Sequence, residues 1–170
     1  MHPRTFWPRL LLGLQSLDIW PFAVRRALIR TAGATIAPSA TFAPGTAIVL
    51  GSLNVGEHVF VNRNCLLEAA AGITIADGVA IGPRVTIVTL SHEIQSAYPR
   101  AGPVRWQRVS IGRGSWVGAS ATILPGTTIG DGCVVAAGAL VRGTLAPNGL
   151  YAGVPAVRIR DLPEPAADPA

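Results

Sequence analysis

Ile111-Gly-Arg-Gly-Ser-Trp-Val117-Gly-Ala-Ser-Ala-Thr-Ile123-Leu-Pro-Gly-Thr-Thr-Ile129-Gly-Asp-Gly-Cys-Val-Val135-Ala-Ala-Gly-Ala-Leu-Val141 places a β-branched aliphatic residue at every sixth position without a break. Each unit reads as one short strand followed by a turn, with small or turn-forming residues in most of the gaps. A unit of that size cannot bury its apolar face alone, so units must stack, and a fixed short period is the mark of a solenoid. The same phase returns upstream at Ile36, Phe42 and Ile48, at Val55, Val61 and Leu67, and at Ile75, Ile81 and Ile87. Three hexads to a turn make about five triangular coils of an all-β, parallel β-helix, with the aliphatic anchors pointing inward in three ladders. Gly and Pro then fall at corners, where φ is special.

The period slips at Gly51 to Asn54 and at Ala69 to Thr74, as small corner bulges would make it. It fails outright after His92 and resumes at Ile111. A break of that length in a regular array predicts a loop excursion near residues 93–110, and such loops often carry function. Before the solenoid, Leu10, Leu14 and Leu17, then Val24 and Leu28, recur at helical spacing with a break at Trp20-Pro21. They predict a short helical cap over residues 1–32, ahead of a β-helix over 33–160. Residues 161–170, with Pro163, Pro165 and Pro169, read as a flexible tail.

Composition narrows the function classes. Only 14% of the 170 residues are charged, while Gly numbers 19 and Pro 14, so the chain is turn-rich and apolar rather than disordered. The net charge of +5 is local, from Arg25, Arg26 and Arg30 and from Arg100, Arg105, Arg108 and Arg113. No recognition helix or stacking motif accompanies these clusters, so no nucleic-acid partner is expected and an anionic cosubstrate fits better. Trp7, Trp20 and the neighbouring arginines also give the N-terminal segment an interfacial composition, compatible with weak association with a membrane surface. Arg4, Arg9, Gln15 and Asp18 interrupt its apolar run, so neither a span nor a signal peptide is expected. Cys65 and Cys133 lie far apart without metal or redox spacing and read as buried small hydrophobes. With that thiol usage, a cytoplasmic location is expected.

Of three histidines, His2 is terminal and His58 sits inside a hexad, pointing outward from a coil. His92 stands at the mouth of the one irregular segment, in Thr89-Leu-Ser-His-Glu93, where a neutral imidazole suits general-base chemistry near neutral pH. An ordinary exposed histidine would also fit that position. No histidine pair has metal-ligand spacing, so no metal is expected. Ser91 adjoins His92, but neighbours on a strand point to opposite faces, which argues against an activated serine.

Four stretches, in this order, resemble the hexapeptide-repeat acyltransferases of the left-handed parallel β-helix class. They are Phe60-Val-Asn-Arg-Asn-Cys65, Ile81-Gly-Pro-Arg-Val-Thr-Ile87 leading to Ser91-His92-Glu93, Ile111-Gly-Arg-Gly-Ser-Trp-Val-Gly-Ala119, and Ala152-Gly-Val-Pro-Ala156. The likeness covers roughly residues 33–160 and is nearest to the maltose and galactoside O-acetyltransferases and the colanic-acid-type sugar acetyltransferases. The left hand of the coil follows from this resemblance alone, since parallel crossovers are otherwise right-handed.

The resemblance implies an acetyl-CoA-dependent O-acetyltransferase acting on a sugar or another small hydroxylated acceptor. His92 would take the hydroxyl proton for direct attack on the thioester, without an acyl-enzyme, in a homotrimer whose sites lie between subunits. For the acceptor it implies Asn62, alongside Glu68. The alternative for Asn62 is a solvent-facing ladder with Asn64. Trp106, in the excursion, supplies an aromatic face for the same acceptor. For the cosubstrate the resemblance implies Trp116, the small residues Ala119, Ala137 and Gly138, and the cations Arg142 and Arg160, with Arg158 between. The chain departs from the pattern at Val141-Arg142-Gly143, where a Thr-Lys pair is frequent, at Val157, where a basic residue is common, and at Ala69, where an acidic residue is frequent. The last departure moves the carboxylate one position back, to Glu68. Xenobiotic, serine and amino-sugar acetyltransferases share the scaffold, and a silent β-helix used for assembly is the reading from another class.

Overall fold

A computed structural model of the chain describes residues 3–49 and 51–164, so His2 and most of the expected tail lie outside the described residues. Two helices come first, α1 (Pro3–Gln15) and α2 (Phe22–Thr31), with Pro21 as the N-cap of the second. The first helix ends at Gln15, ahead of the expected break at Trp20-Pro21, and Pro21 precedes the second because Pro fixes φ and suits a helix start.

The solenoid follows coil by coil. Coil 1 holds β1 (Thr35–Ile36), β2 (Thr41–Phe42) and β3 (Ala47–Val49), and coil 2 holds β4 (Leu53–Val55), β5 (Phe60–Val61) and β6 (Leu66–Glu68). Coil 3 is β7 (Ile73–Ile75), β8 (Ala80–Ile81) and β9 (Thr86–Val88). The chain then leaves the solenoid as an antiparallel hairpin, β10 (Leu90–Ile94) and β11 (Ala101–Trp106). Coil 4 is β12 (Val109–Ile111), β13 (Trp116–Val117) and β14 (Thr122–Ile123). Coil 5 is β15 (Thr128–Ile129), β16 (Val134–Val135) and β17 (Leu140–Val141). A partial sixth coil, β18 (Thr144–Leu145) and β19 (Gly149–Gly153), ends in β20 (Ala156–Asp161), which turns back antiparallel on β19.

Parallel pairing stacks the strands into three sides. Side A is β1, β4, β7, β12, β15 and β18; side B is β2, β5, β8, β13, β16 and β19; side C is β3, β6, β9, β14 and β17. Each side buries its ladder of anchors: Ile36, Val55, Ile75, Ile111 and Ile129 on A, Phe42, Val61, Ile81, Val117 and Val135 on B, Ile48, Leu67, Ile87, Ile123 and Val141 on C. A second inward position lies two residues before an anchor, and it takes Cys65 ahead of Leu67 and Cys133 ahead of Val135. Both cysteines are free, and burial pushes both thiols up from their ordinary pKa. Three residues before an anchor the backbone turns left-handed. Gly126 (φ 78°) and Gly132 (φ 63°) adopt it freely, whereas His58 (φ 56°), Arg84 (φ 57°) and Ser120 (φ 58°) do so with side chains turned outward. His58 is thus an exposed corner residue, as its place in the hexad predicts.

Three boundaries differ from the sequence reading. There is a sixth, partial coil, in which Leu145 follows Val141 by a step of four rather than six around a tight corner at Gly143 (φ 72°), before Tyr151 resumes the step of six. The excursion starts at Leu90 rather than after His92, and Val109 is already back on side A, paired with Ile73. The C-terminal strand runs through Asp161, and Leu162 N–H donates to Asn148 O at 2.8 Å. Arg158 fastens that end, donating to Ala146 O, Pro147 O, Asn148 O, Tyr151 Oη and Asp161.

The helices close the open end of coil 1, touching only its strands and each other in the principal contacts. Gln15 Nε2 donates to Thr46 O at 2.7 Å, and Gly45 N–H to Ser16 O at 2.8 Å. Arg25 is buried, with Nη2 donating to Leu17 O and Trp20 O, and burial pulls its pKa down.

Candidate active site

The hairpin roots itself at the corner between sides C and A through one carboxylate. Glu68 Oε2 accepts from Thr89 N–H at 2.9 Å and Leu90 N–H at 3.1 Å, and Oε1 accepts from Ala70 N–H at 2.9 Å. Thr89, fully buried, bridges the same corner: Oγ1 donates to Glu68 O at 2.9 Å and accepts from Ala71 N–H at 3.0 Å. Glu68, expected on the acceptor, turns both oxygens to main-chain donors that hold the base of the hairpin. The shift of the carboxylate from position 69 to 68 has a local reason, since Ala69 faces inward and is fully buried.

On β10, His92 pairs with Val104, and its Nδ1 lies 2.7 Å from Gly102 O. A carbonyl oxygen only accepts, so Nδ1 carries the proton and Nε2 presents a lone pair. A Cβ at Gly102 would meet the side chain of the exposed Gln95. Opposed residues of an antiparallel pair share a face. The register Leu90↔Trp106 and His92↔Val104 therefore sets Leu90, Val104 and Trp106 beside the imidazole, while Ser91↔Arg105 lies on the opposite face. Trp106 and Val104 are both exposed.

The remaining predicted residues gather elsewhere. At the corner between sides B and C, hydrogen bonds stack Asn62 under Gly82, Gly118 and Ala136. Arg63, Pro83, Ala119 and Ala137 follow one position on, and Gly138 N–H donates to Ala119 O at 2.8 Å. Gly82 and Gly118 are required there, since a Cβ on either would lie within 3 Å of the next coil's backbone. At Gly138, three residues before Val141, a Cβ would meet nothing within 4 Å, and the left-handed φ of 71° is what calls for glycine. Asn62 Oδ1 accepts from Arg63 N–H at 2.7 Å, leaving its Nδ2 without a protein partner among the described residues. Arg63 in turn pairs with Asp18 at 3.0 Å.

Trp116 stands on side B, 56% exposed, between Ala80 and Val134. The same row continues through Leu150 to Arg160, which is exposed. Arg142 is exposed too, but at the corner between C and A, two coils beyond the hairpin's root. Arg158 is committed to the C-terminal strand rather than to a phosphate.

The chain thus divides its predicted site between two corners. His92, Trp106 and Arg142 belong to one, Asn62, Ala119, Ala137 and Gly138 to the other, and a step of six residues, at most about 20 Å of chain, leads from Asn62 to Glu68. Among the described residues no three His, Cys, Asp or Glu side chains are grouped to hold a metal ion, and no helix is long and apolar enough to cross a membrane. A groove of about 780 Å³ between α1 and β3 contains none of the predicted site residues.

Comparison with known proteins agrees with this architecture. Residues 108–143, nearly the stretch of unbroken hexads, match the family described as bacterial transferase hexapeptide (six repeats). A galactoside O-acetyltransferase of Escherichia coli (strain K12) is 32% identical over 139 residues, covering 81% of this chain and 68% of that protein. A maltose O-acetyltransferase from Clostridium difficile 630 superimposes with a TM-score of 0.74 at 25% identity, covering 95% of this chain and 87% of the other. A hexapeptide-repeat acetyltransferase of Vibrio cholerae O1 biovar eltor, solved with acetyl coenzyme A, has a TM-score of 0.69 at 30% identity, over 92% of this chain and 88% of its own.

Proposed function

The chain belongs to the hexapeptide-repeat acetyltransferases, acetyl-CoA-dependent acyltransferases, and from that premise we propose that it moves the acetyl group to a hydroxyl of a sugar or similar small acceptor, with His92 as general base. The observation that carries this reading is the Nδ1–H bond to Gly102 O, which fixes the tautomer and leaves Nε2 free to accept a proton. Nε2 removes the acceptor's hydroxyl proton as that oxygen attacks the thioester carbonyl carbon. The tetrahedral oxyanion collapses, the C–S bond breaks, and imidazolium Nε2–H returns the proton to the departing sulfur. The products are an acetyl ester and free CoA, with His92 neutral again.

Asn62 Nδ2 is the free donor for an acceptor oxygen, and Trp106, on the face of His92, packs against the acceptor ring. Trp116 and the small residues Ala119, Ala137 and Gly138 border the pantetheine arm, with Arg160 and Arg142 toward the phosphates. Glu68 acts here by holding the hairpin rather than by touching the acceptor.

The two halves of the site lie at different corners of one copy, which supports a site shared between subunits. A neighbour's corner between sides B and C completes the groove, and a closed ring of three such contacts is a homotrimer. Acetyl-CoA as donor and two free thiols support a cytoplasmic setting for the reaction.

The test is thiol release from acetyl-CoA across a panel of glycosides and other alcohols. Wild type should release CoA only when an acceptor hydroxyl is present, and His92→Ala should turn over about 10²–10⁴-fold more slowly with CoA binding preserved. Equal turnover would remove His92 from the mechanism. Activity that persists in a sedimenting monomer would remove the shared site.

A further inference from the structure

The coil-1 end of the solenoid carries an apolar and basic surface that holds none of the residues assigned above to acetyl transfer. At about 100° per residue, α1 sets Phe6, Trp7 and Leu10 on one arc, opposite the buried Leu12 and Gln15. Phe6 and Trp7 are 46% and 65% exposed and meet edge to face, with ring centroids 5.4 Å apart. Beyond α1 the connection exposes Ile19 at 71%, and α2 opens on an exposed Phe22.

Charge on this cap is one-sided. Of the four arginines in residues 6–31, Arg9 and Arg30 are exposed, Arg26 is half-buried with Nη1 donating to Ala40 O, and Arg25 is buried; the single acidic residue, Asp18, is ion-paired with Arg63. Exposed aromatic and aliphatic side chains among unopposed arginines match an anionic lipid interface, where apolar insertion and charge attraction act together. A second copy docked on the same face would set arginines against arginines. A nucleic acid would leave the apolar arc without a partner.

The solenoid also orders its site along its axis. Adjacent coils are about 4.8 Å apart. Asn62 lies on coil 2 and His92 directly after coil 3, whereas Trp116, Ala137 and Arg160 lie on coils 4, 5 and beyond coil 6. The acceptor half is therefore next to the cap and the cosubstrate half is remote from it.

We propose that the helical cap docks this protein on an anionic membrane surface, cap end down, so that a membrane-borne hydroxyl acceptor reaches the site from the cap side while acetyl-CoA enters from the C-terminal side. Docking stands on the cap alone; the siting of the acceptor rests on the function proposed above.

The experiment is co-sedimentation of the full chain with vesicles of phosphatidylcholine, with and without phosphatidylglycerol, at low and high salt. Wild type should pellet with the anionic vesicles and release as salt rises. A triple variant Phe6→Ser, Trp7→Ser, Leu10→Ser should stay in solution. Arg9→Ser with Arg30→Ser, both at exposed positions, should bind about 30-fold more weakly, from the attraction expected of two cations near an anionic surface. Failure of wild type to pellet, or pelleting of the triple variant as well as wild type, overturns docking. A triple variant that folds but sediments as a smaller species overturns it too, because the arc is then a protein interface. For the siting, an alkyl glycoside embedded in the vesicles should be acetylated more slowly by both variants while a soluble glycoside is not. Equal rates on the embedded glycoside overturn that part. Inactivity on every glycoside refutes the proposed function and leaves the vesicle result readable.

Discussion

Replacing Glu68 with alanine separates a residue that holds the hairpin from one that binds the acceptor. The substitution strands three main-chain donors, Ala70 N–H, Thr89 N–H and Leu90 N–H, now 2.9–3.1 Å from the carboxylate. An orphaned buried N–H costs about 1–3 kcal/mol, and a bond to a charged acceptor is at the stronger end. Glu68 and Leu90 are only half-buried, so water recovers part of the loss and about 2–4 kcal/mol remains. That cost falls on local opening of β10 and β11, not on the stacked coils, whose own register does not pass through the hairpin. Amide exchange at 90–94 and 101–106 should accelerate roughly 30- to 1,000-fold while coils 4 and 5 stay protected. Turnover should fall because His92 rides on β10, and KM for acetyl-CoA should hardly move. Glu68→Gln, which keeps one oxygen, should be intermediate. Hydrogen exchange by mass spectrometry, read beside the thiol-release assay, decides the matter. Unchanged hairpin protection with a raised KM for the acceptor alone would refute the reasoning and return Glu68 to the acceptor.

Trp106→Ala should raise acceptor KM about tenfold, because the ring shares the face of His92, whereas Arg105→Ala, on the opposite face, should change it less than twofold; the reverse order would mean that the hairpin's other face meets the acceptor. Arg158→Ala should lower the melting temperature and loosen β20 without raising KM for acetyl-CoA beyond what that loosening explains, whereas Arg160→Ala should raise KM at unchanged melting temperature. The raised pKa values of Cys65 and Cys133 give a definite sign with pH. Between their ordinary value of 9.0 and the higher native values the unfolded chain has lost protons that the native chain keeps, so stability falls as pH rises through that window. A Cys65→Ala, Cys133→Ala variant should show a flatter alkaline decline in melting temperature, and an identical decline would locate the alkaline sensitivity elsewhere.

Periodicity made the scaffold legible. Inward anchors from Ile36 to Val141 lie where the hexads put them, because each unit repeats one local conformation and one burial requirement. What escaped the reading depends on partners distant in sequence. Nothing in Glu68 announces that its oxygens accept from residues 89 and 90, and the one-residue offset at Ala69 was the sole sign that its role differs. Gly102 was invisible for the same reason, since its contribution is a carbonyl brought opposite His92 by hairpin register. Arg158 and Arg160 look alike in sequence, yet strand register and a set of main-chain carbonyls assign one to the fold and leave the other exposed. The final coil was missed because Leu145 and Tyr151 continue the ladders after a four-residue step, where a search for sixes finds nothing. The division of the site between two corners follows from coil geometry rather than from any residue type, so it became visible only once the strands were stacked.

The hairpin enters and leaves the solenoid at one point: Gln107 N–H donates to Thr89 O at 2.9 Å, and Val109 resumes on Ile73 as if nothing intervened. Such a junction works as a socket. Whatever chain is inserted there is closed by the same bond, and closing a longer loop costs only a slowly rising entropy. Exchange of this segment between relatives would therefore graft a new reactive face and a new acceptor preference onto an unchanged scaffold, without repacking a single coil. Evolution can change the customer by editing about twenty residues, and so can an engineer.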